Sequence, residues 1–387
     1  MSTTTDSITD TVRAATAEAA RILTAPARRA AALTYLRQRG INGDALPEAW
    51  PLGYAPPGWT RLTDTLLADG FTEQTLLDAG LAHRSSRGTL IDVFRDRVIF
   101  PIHDHAGQVA GFIGRDLSGA PAAPKYVNTR ETPLFSKGTL LYGLHEARAT
   151  SPQACRPVLV EGPLDVLALT ARAQVTGDAD LLPVATCGTA VTPTQARLIV
   201  ETAATYNVPV VVAMDGDSAG RSATLTAGEQ LRRHGLDVLV AVLPNGTDPA
   251  EYTANPDRSL NVFRQSGALP LLTAQVQNCI AVQGDRMQWV EGRLAAARHI
   301  ADILTSHPPA HAIAQTSWIS TVLDIAPSTF ATVLGTAFVN AHSLPPAGTR
   351  TGDLLRAAVD PRQIGVASRS NLTEEAPAPT CAPTLTQ

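Results

Sequence analysis

Val158-Leu159-Val160-Glu161-Gly162-Pro163-Leu164-Asp165 and Val208-Pro209-Val210-Val211-Val212-Ala213-Met214-Asp215-Gly216-Asp217 follow the same pattern. Each is a short apolar run that stops abruptly at carboxylates and glycine. A strand buried on both faces of a parallel sheet reads this way, and open α/β sheets place their ligands at the carboxyl ends of such strands. One strand delivers Glu161, with Asp165 one helical turn later. The other delivers Asp215 and Asp217 across Gly216, and Asp248 lies at the end of the strand that follows. Acids converging on one sheet edge repel one another unless a divalent cation neutralises them. The expectation is a magnesium site for phosphoryl chemistry.

The segments around these runs alternate. Strand 158–160 precedes a helix over 164–173, and strand 183–186 precedes a helix opened by Thr192 and Pro193, a good N-cap and first-turn pair. Strand 208–214 leads to a helix from Ala219 to His234 that Gly235 closes, and a strand runs from Asp237 to Leu243. Such alternation predicts an α/β domain with a mostly parallel, Rossmann-like sheet covered by helices, over residues 155–255. Before it, 28–150 reads as a mixed α/β lobe. In it, Gly53 to Trp59 is turn-rich, and Arg97–Ile102 and Val109–Ile113 form a hairpin around His103-Asp104-His105-Ala106-Gly107. The two histidines suit a polar turn better than a metal site. Residues 1–27 read as a helical, flexible extension. Residues 265–342 lose the strand signal and read as a helical subdomain, with Leu294, Ile300, Ile303 and Leu304 on one face and Ile313, Trp318, Val322 and Ile325 on another. Residues 343–387, rich in Pro, Thr and Ala, read as a disordered tail.

Bulk properties narrow the class. A chain of 387 residues with 44% hydrophobic content has a real core, and a net charge of −4 gives no global field for nucleic acid. Local charge differs. From Arg84 to Lys137 eight basic residues face five acidic ones, and the only two lysines of the chain, Lys125 and Lys137, both fall there. A compact ammonium differs from a guanidinium in reach and hydration. Phosphate contacts from such a surface give salt-dependent, sequence-independent binding, and Tyr126 beside it offers a face for stacking on a base. Cys155, Cys187, Cys279 and Cys381 are scattered, so no zinc knuckle or CxxC pair is encoded. The amino terminus lacks the basic and apolar regions of a signal peptide, and no run of about 18 apolar residues suggests a membrane span. The expectation is a cytoplasmic protein without a membrane partner. Neither GxxxxGK[ST] nor GxGxxG occurs.

The bland reading of Asp215-Gly216-Asp217 is a cap for the next helix. The second acidic strand end makes a site the better reading. Glu161-Gly162-Pro163-Leu164-Asp165, Gly188-Thr189 and Asp215-Gly216-Asp217-Ser218-Ala219-Gly220-Arg221 resemble the TOPRIM domain shared by bacterial primases, topoisomerases and some nucleases. Gly53 to Trp59, Arg97 to Ile102, Gly111-Phe112-Ile113-Gly114-Arg115, Pro124-Lys125-Tyr126-Val127-Asn128 and Phe135-Ser136-Lys137-Gly138 resemble the RNA-polymerase core of DnaG-type bacterial primases, from about Ala32 to Val333.

That resemblance implies a set of roles. Glu161 matches the family's essential acid, as general acid/base or metal-site residue. Asp215 and Asp217 match its metal-binding pair, and Asp165 and Asp248 its supporting acids. Arg115, Lys125, Tyr126, Asn128 and Lys137 match its basic surface for template and nucleotide phosphates. Arg221, at a helix start, adds a cation where anions bind. Two Mg²⁺ or Mn²⁺ ions and no zinc are implied as cofactors. A single-stranded DNA template and NTPs are implied as ligands, with a replicative helicase or a separate zinc-module protein as partner. The implied activity is DNA-templated synthesis of short RNA primers. The alternatives are a non-catalytic single-stranded-DNA-binding replication subunit and a TOPRIM nuclease. The sequence departs from the family pattern in three places. The amino-terminal zinc module is missing, no helicase-binding domain follows, and Ala250 stands where the family usually has a second Asp.

Overall fold

The first strand of the chain follows two helices, α1 (Ser2–Leu23) and α2 (Pro26–Gln38). The computed structural model describes residues 2–150, 155–178, 180–188 and 190–342, in two compact units divided between Leu271 and Leu272. The tail at 343–387 and Thr189 lie outside the described residues. Helix α1 is more than an extension. Val12, Ala15, Ala19 and Leu23 are almost fully buried on one face of it, in the same core as Leu66, Phe94 and Phe112. Burying side chains such as Val12 and Leu23 contributes roughly 1.5–3 kcal/mol each. Of the six buried positions among the described residues of α1, Ala15, Ala19 and Ala20 are alanine and Thr16 is polar, which leaves little hydrophobic contrast in the sequence.

After α2 come β1 (Gly53–Ala55), α3 (Arg61–Ala68), α4 (Glu73–Asp78), β2 (Ala82–Arg84), β3 (Leu90–Asp92), β4 (Arg97–His103), β5 (Val109–Asp116) and β6 (Tyr126–Asn128). The expected hairpin is β4–β5. It lies at the centre of an antiparallel sheet ordered β1-β4-β5-β6. The segment read as turn-rich supplies β1 before Pro56 ends it, because Gly53 to Ala55 pair with Ile99 to Arg97. His103 bonds the buried Glu146 through Nδ1 at 2.6 Å and stacks near His145, a packing role.

The parallel sheet is built from β7 (Leu141–Tyr142), α5 (Leu144–Thr150), β8 (Arg156–Val160), α6 (Pro163–Thr176), β9 (Leu181–Thr186), α7 (Pro193–Tyr206), β10 (Val210–Val212), α8 (Ser218–Arg233), β11 (Val238–Val240), α9 (Pro249–Ala254) and β12 (Leu269–Pro270). The strand order is β12-β11-β10-β8-β9-β7. The four central strands are parallel and the two short edges antiparallel. The chain runs from β8 to its neighbour β9 and then crosses to β10 on the other side of β8. The loops leaving β8 and β10 therefore diverge, and a crevice opens between them, the ligand position of doubly wound sheets. Helices α7 and α8 contact each other, as expected for two helices on one face.

The second unit contains α10 (Leu271–Gln283), α11 (Val290–Leu304), α12 (Pro309–Ala314), α13 (Thr316–Leu323) and α14 (Pro327–His342). Ile300 and Leu304 are buried as expected, but the face proposed for residues 313–325 is only half buried, with Trp318 and Ile325 packed against the core. Ile313 and Val322 are exposed, while Ala312, Ile319 and Leu323 are buried. The chain turns at Gln315 between α12 and α13, so a single helical period does not run through that stretch. Among the described residues no single helix is long and apolar enough to cross a membrane. One bent pair, Thr316–Leu323 with Pro327–Ala341, passes the same test, but its Ile319, Leu323, Phe330 and Leu334 are core residues of this unit.

Candidate active site at the carboxyl ends of the parallel strands

Glu161 follows β8 directly and is exposed. Asp215 stands half-buried between β10 and α8. Burial raises its carboxyl to about 6, reinforced by Glu161, Asp248 and Asp217, and Lys125 opposes the rise. The acids predicted from three strand ends therefore share one electrostatic neighbourhood. Among the described residues, however, no group of three such side chains is drawn close enough to hold a metal ion. Much of their hydrogen-bonding capacity is spent on the backbone. Asp217 is the N-cap of α8 and accepts the Gly220 N–H at 2.7 Å. Asp248 caps α9 in the same way, from Glu251 at 2.6 Å. The bland reading of DxD thus holds alongside the functional one, because a carboxylate has lone pairs left after capping.

Asp165 differs from the others. It is buried, and both its oxygens are occupied: Oδ2 accepts the Gly162 N–H at 3.0 Å, and Oδ1 accepts the Ala250 N–H at 3.2 Å. Burial, then the Asp248 and Asp215 carboxylates, push its carboxyl up to about 8. The loops are also tied to one another. Gly216 donates its N–H to Thr247 O at 2.9 Å, and a Cβ at Gly216 would stand 2.2 Å from Pro244 O, so only glycine fits. Arg221, expected to face an anion, donates Nη1 to Gly216 O and to Asn245 Oδ1, bracing the same two loops.

The basic residues arrive from the antiparallel sheet. Arg115 lies on β5 opposite Tyr126 on β6, with its guanidinium 5.1 Å above the ring. Its Nε and Nη1 are buried without a hydrogen-bond partner. Tyr126 is half-buried under that cation, and burial raises its hydroxyl pKa, so the free stacking face expected from sequence is already partly used. Lys125 is exposed at the end of the 117–124 loop. Arg97, buried beneath, holds that loop by donating to Gly114 O and Pro124 O near 3 Å. Asn128 donates Nδ2 to Cys187 O at 2.6 Å and so ties β6 to the end of β9. Lys137 sits beside Gly188, where a Cβ would be 3.9 Å from Nζ. Arg115 and Lys125 also line an open cavity of about 580 Å³ with Tyr35, Gln38 and Arg39 from the end of α2. Nothing in the sequence pattern singles out Arg39; Gly40 after it reads only as a helix stop.

A basic rim beside an acidic strand edge suits a polyanion that also carries a reacting phosphate. The donor set fits a hard divalent cation, since all its side-chain ligands are carboxylate oxygens and their mutual repulsion raises Asp215.

Comparison with known proteins agrees with the fold. Residues 20–148 match the model of the DNA primase catalytic core, N-terminal domain, and residues 158–253 match the Toprim-like model. The DNA primase of Deinococcus radiodurans is 36% identical over 285 residues, 73% of this chain and 48% of that protein. That of Halalkalibacterium halodurans is 40% identical over 220 residues, 57% of this chain and 35% of that protein. The crystal structure of a DNA primase domain from Pseudomonas aeruginosa superposes with a TM-score of 0.67 at 31% identity, covering 84% of this chain and 99% of that one. A DnaG primase catalytic domain bound to single-stranded DNA superposes with a TM-score of 0.65 at 28% identity. The chain belongs to the DNA primase catalytic-core family, with a Toprim domain over residues 158–253. It spans between about a third and a half of the length of the curated relatives cited here.

Proposed function

We propose that this chain catalyses DNA-templated synthesis of short RNA primers by nucleotidyl transfer, acting in the cytoplasm. One observation carries the reading. Asn128 on β6 of the basic lobe bonds Cys187 O at the end of β9 at 2.6 Å, and Lys125 opposes the rise of the Asp215 carboxyl, which supports a reading in which the basic rim and the acidic edge serve one site. The single-stranded DNA held by a structural relative supports a DNA template here.

In this reading Arg115, Lys125 and Lys137 bind phosphates of template and incoming NTP, and the unpartnered guanidinium nitrogens of Arg115 gain their acceptors. Asp215 and Asp217, with Asp248 and Glu161 beside them, would hold Mg²⁺ or Mn²⁺, which would supply charge neutralisation at the α-phosphate and activation of the attacking oxygen. Glu161, exposed at the strand end, takes the proton of the ribose 3′-hydroxyl at a carboxylate oxygen. The O3′–Pα bond forms, the bond from Pα to the bridging oxygen breaks, and pyrophosphate leaves. A replicative helicase or a separate zinc-module protein completes the assembly.

The test is primer synthesis by the purified chain with single-stranded DNA, labelled NTPs and either cation. Short RNA from the wild type but not from Glu161→Ala establishes the activity. Tight DNA binding with no product under any cation or added partner would instead support the non-catalytic binding subunit.

A further inference from the structure

Asp165 lies at the start of α6, yet its two oxygens serve two different loops. Gly162 is the N-cap of α6, and its N–H points to Asp165 Oδ2. Ala250, 85 residues away, is in the first turn of α9, and its N–H points to Asp165 Oδ1. The first turn of a helix carries N–H groups with no intrahelical acceptor. In α9, Asp248 takes the N–H of Glu251 and Asp165 takes that of Ala250. One buried carboxylate thus links the loop that carries Glu161 to the helix start that carries Asp248. Of the acids at this edge, Asp165 alone is classed as buried. A ligand for a hydrated cation needs a free lone pair turned toward solvent; each Asp165 oxygen keeps one after accepting its N–H, and it is the burial of the carboxylate that argues against that role.

We infer that Asp165 is a positioning residue that sets the spacing of Glu161 and Asp248 through Gly162 N–H and Ala250 N–H, and is not itself a metal ligand. This rests on the nucleotidyl-transfer reading for its consequence, though not for its geometry. Small displacements of reacting groups cost orders of magnitude in rate, so the effect falls on turnover rather than on substrate affinity.

Asp165→Asn keeps the shape but removes one acceptor, leaving an amide NH₂ against a backbone N–H. The expected result by hydrogen–deuterium exchange is at least roughly tenfold faster exchange in whichever of the 161–163 and 248–252 segments then faces the NH₂ group. The number of Mn²⁺ ions bound, counted by calorimetry or electron paramagnetic resonance, stays that of the wild type. The turnover number falls roughly ten- to a hundredfold with the KM for NTP little changed. Loss of one bound Mn²⁺, or unchanged exchange in both segments, would overturn the proposal. A second measurement needs no variant. In the wild type, a ligand role draws the buried Asp165 carboxylate toward the ion on Mn²⁺ addition and weakens its two N–H bonds, so exchange at Gly162 and Ala250 would rise; a positioning role leaves it unchanged or slower. If the wild type makes no primer and binds no Mn²⁺, the nucleotidyl-transfer reading fails, while exchange in Asp165→Asn still decides what Asp165 holds.

Discussion

The acidic and basic edges of the first unit are built in opposite ways. At the strand ends of the parallel sheet, Asp165, Asp217 and Asp248 each accept at least one backbone N–H at a helix start, so main chain sets their positions. Just before β6 and in the loop after it, the ammonium groups of Lys125 and Lys137 make no hydrogen bond or ion pair among the described residues. Arg115 keeps two buried nitrogens without acceptors. The difference separates placement from reach. Carboxylates that meet a reacting phosphate must stay put, whereas cations that gather a long, flexible polyanion can remain free to adapt. Substitutions at the first edge should therefore affect chemistry, and those at the second should affect binding.

The strongest way to break that contrast is at the half-buried acid. Asp215→Asn is expected to lower primer synthesis at least about a thousandfold, roughly 4 kcal/mol of barrier, in a labelled-NTP incorporation assay. Fluorescence anisotropy should show single-stranded DNA affinity within about threefold of the wild type. A comparable loss in both would mean that the acids gather DNA as well, and the division of labour would fail.

Asp92 sharpens the contrast from the other side, because it is a buried acid in the basic lobe. It accepts the N–H groups of Leu62 and Thr63 and the Thr63 hydroxyl, all between 2.5 and 2.9 Å, at the start of α3. It has the backbone-bound geometry of Asp165 but serves no reaction edge. Asp92→Ala strands those donors and is expected to lower the unfolding free energy by about 3 kcal/mol, read by urea denaturation. Activity per folded molecule should be unchanged.

These two acids also mark what the sequence reveals. The strand ends, the hairpin and the alternation of the sheet are legible because burial imposes a short local period and because Gly, Pro, Asp and Thr mark where elements stop. Asp215-Gly216-Asp217 and Glu161 are legible for the same reason. The links across the chain are not. Asp165 meets Ala250 85 residues away, and Asn128 meets Cys187 59 residues away. No periodicity encodes such a pair, and Asn128 and Arg221 therefore read as free ligand-binding side chains when both brace backbone. Helix α1 was hard to place for a different reason, since alanine buries well but contrasts weakly with its neighbours.

A smaller effect is expected where the two acidic loops touch. Gly216→Ala sets a Cβ 2.2 Å from Pro244 O, and backbone must shift to admit it. Asp215 and Asp217 move with it. Turnover should fall roughly ten- to a hundredfold while the melting temperature changes by a few degrees, about 1 kcal/mol. If the melting temperature collapsed instead, the glycine would be holding the fold rather than aligning the acids.

The mildest prediction tests the basic edge. Lys125→Ala and Lys137→Ala each remove one ammonium that makes no hydrogen bond or ion pair among the described residues. Each should weaken single-stranded DNA binding several-fold at low salt, uniformly across sequences. Each should also make the slope of log K against log salt shallower by somewhat less than one, as expected for a lost phosphate contact on a single strand. Arg115→Ala should do the same and more. Its guanidinium covers Tyr126 at 5.1 Å, so removing it uncovers a ring as well as a charge. A loss of turnover from either lysine change, with the salt slope untouched, would place that lysine among the reacting groups. The proximity of Lys125 to Asp215 makes it the residue where reach and placement meet, and so the one most able to blur the two edges.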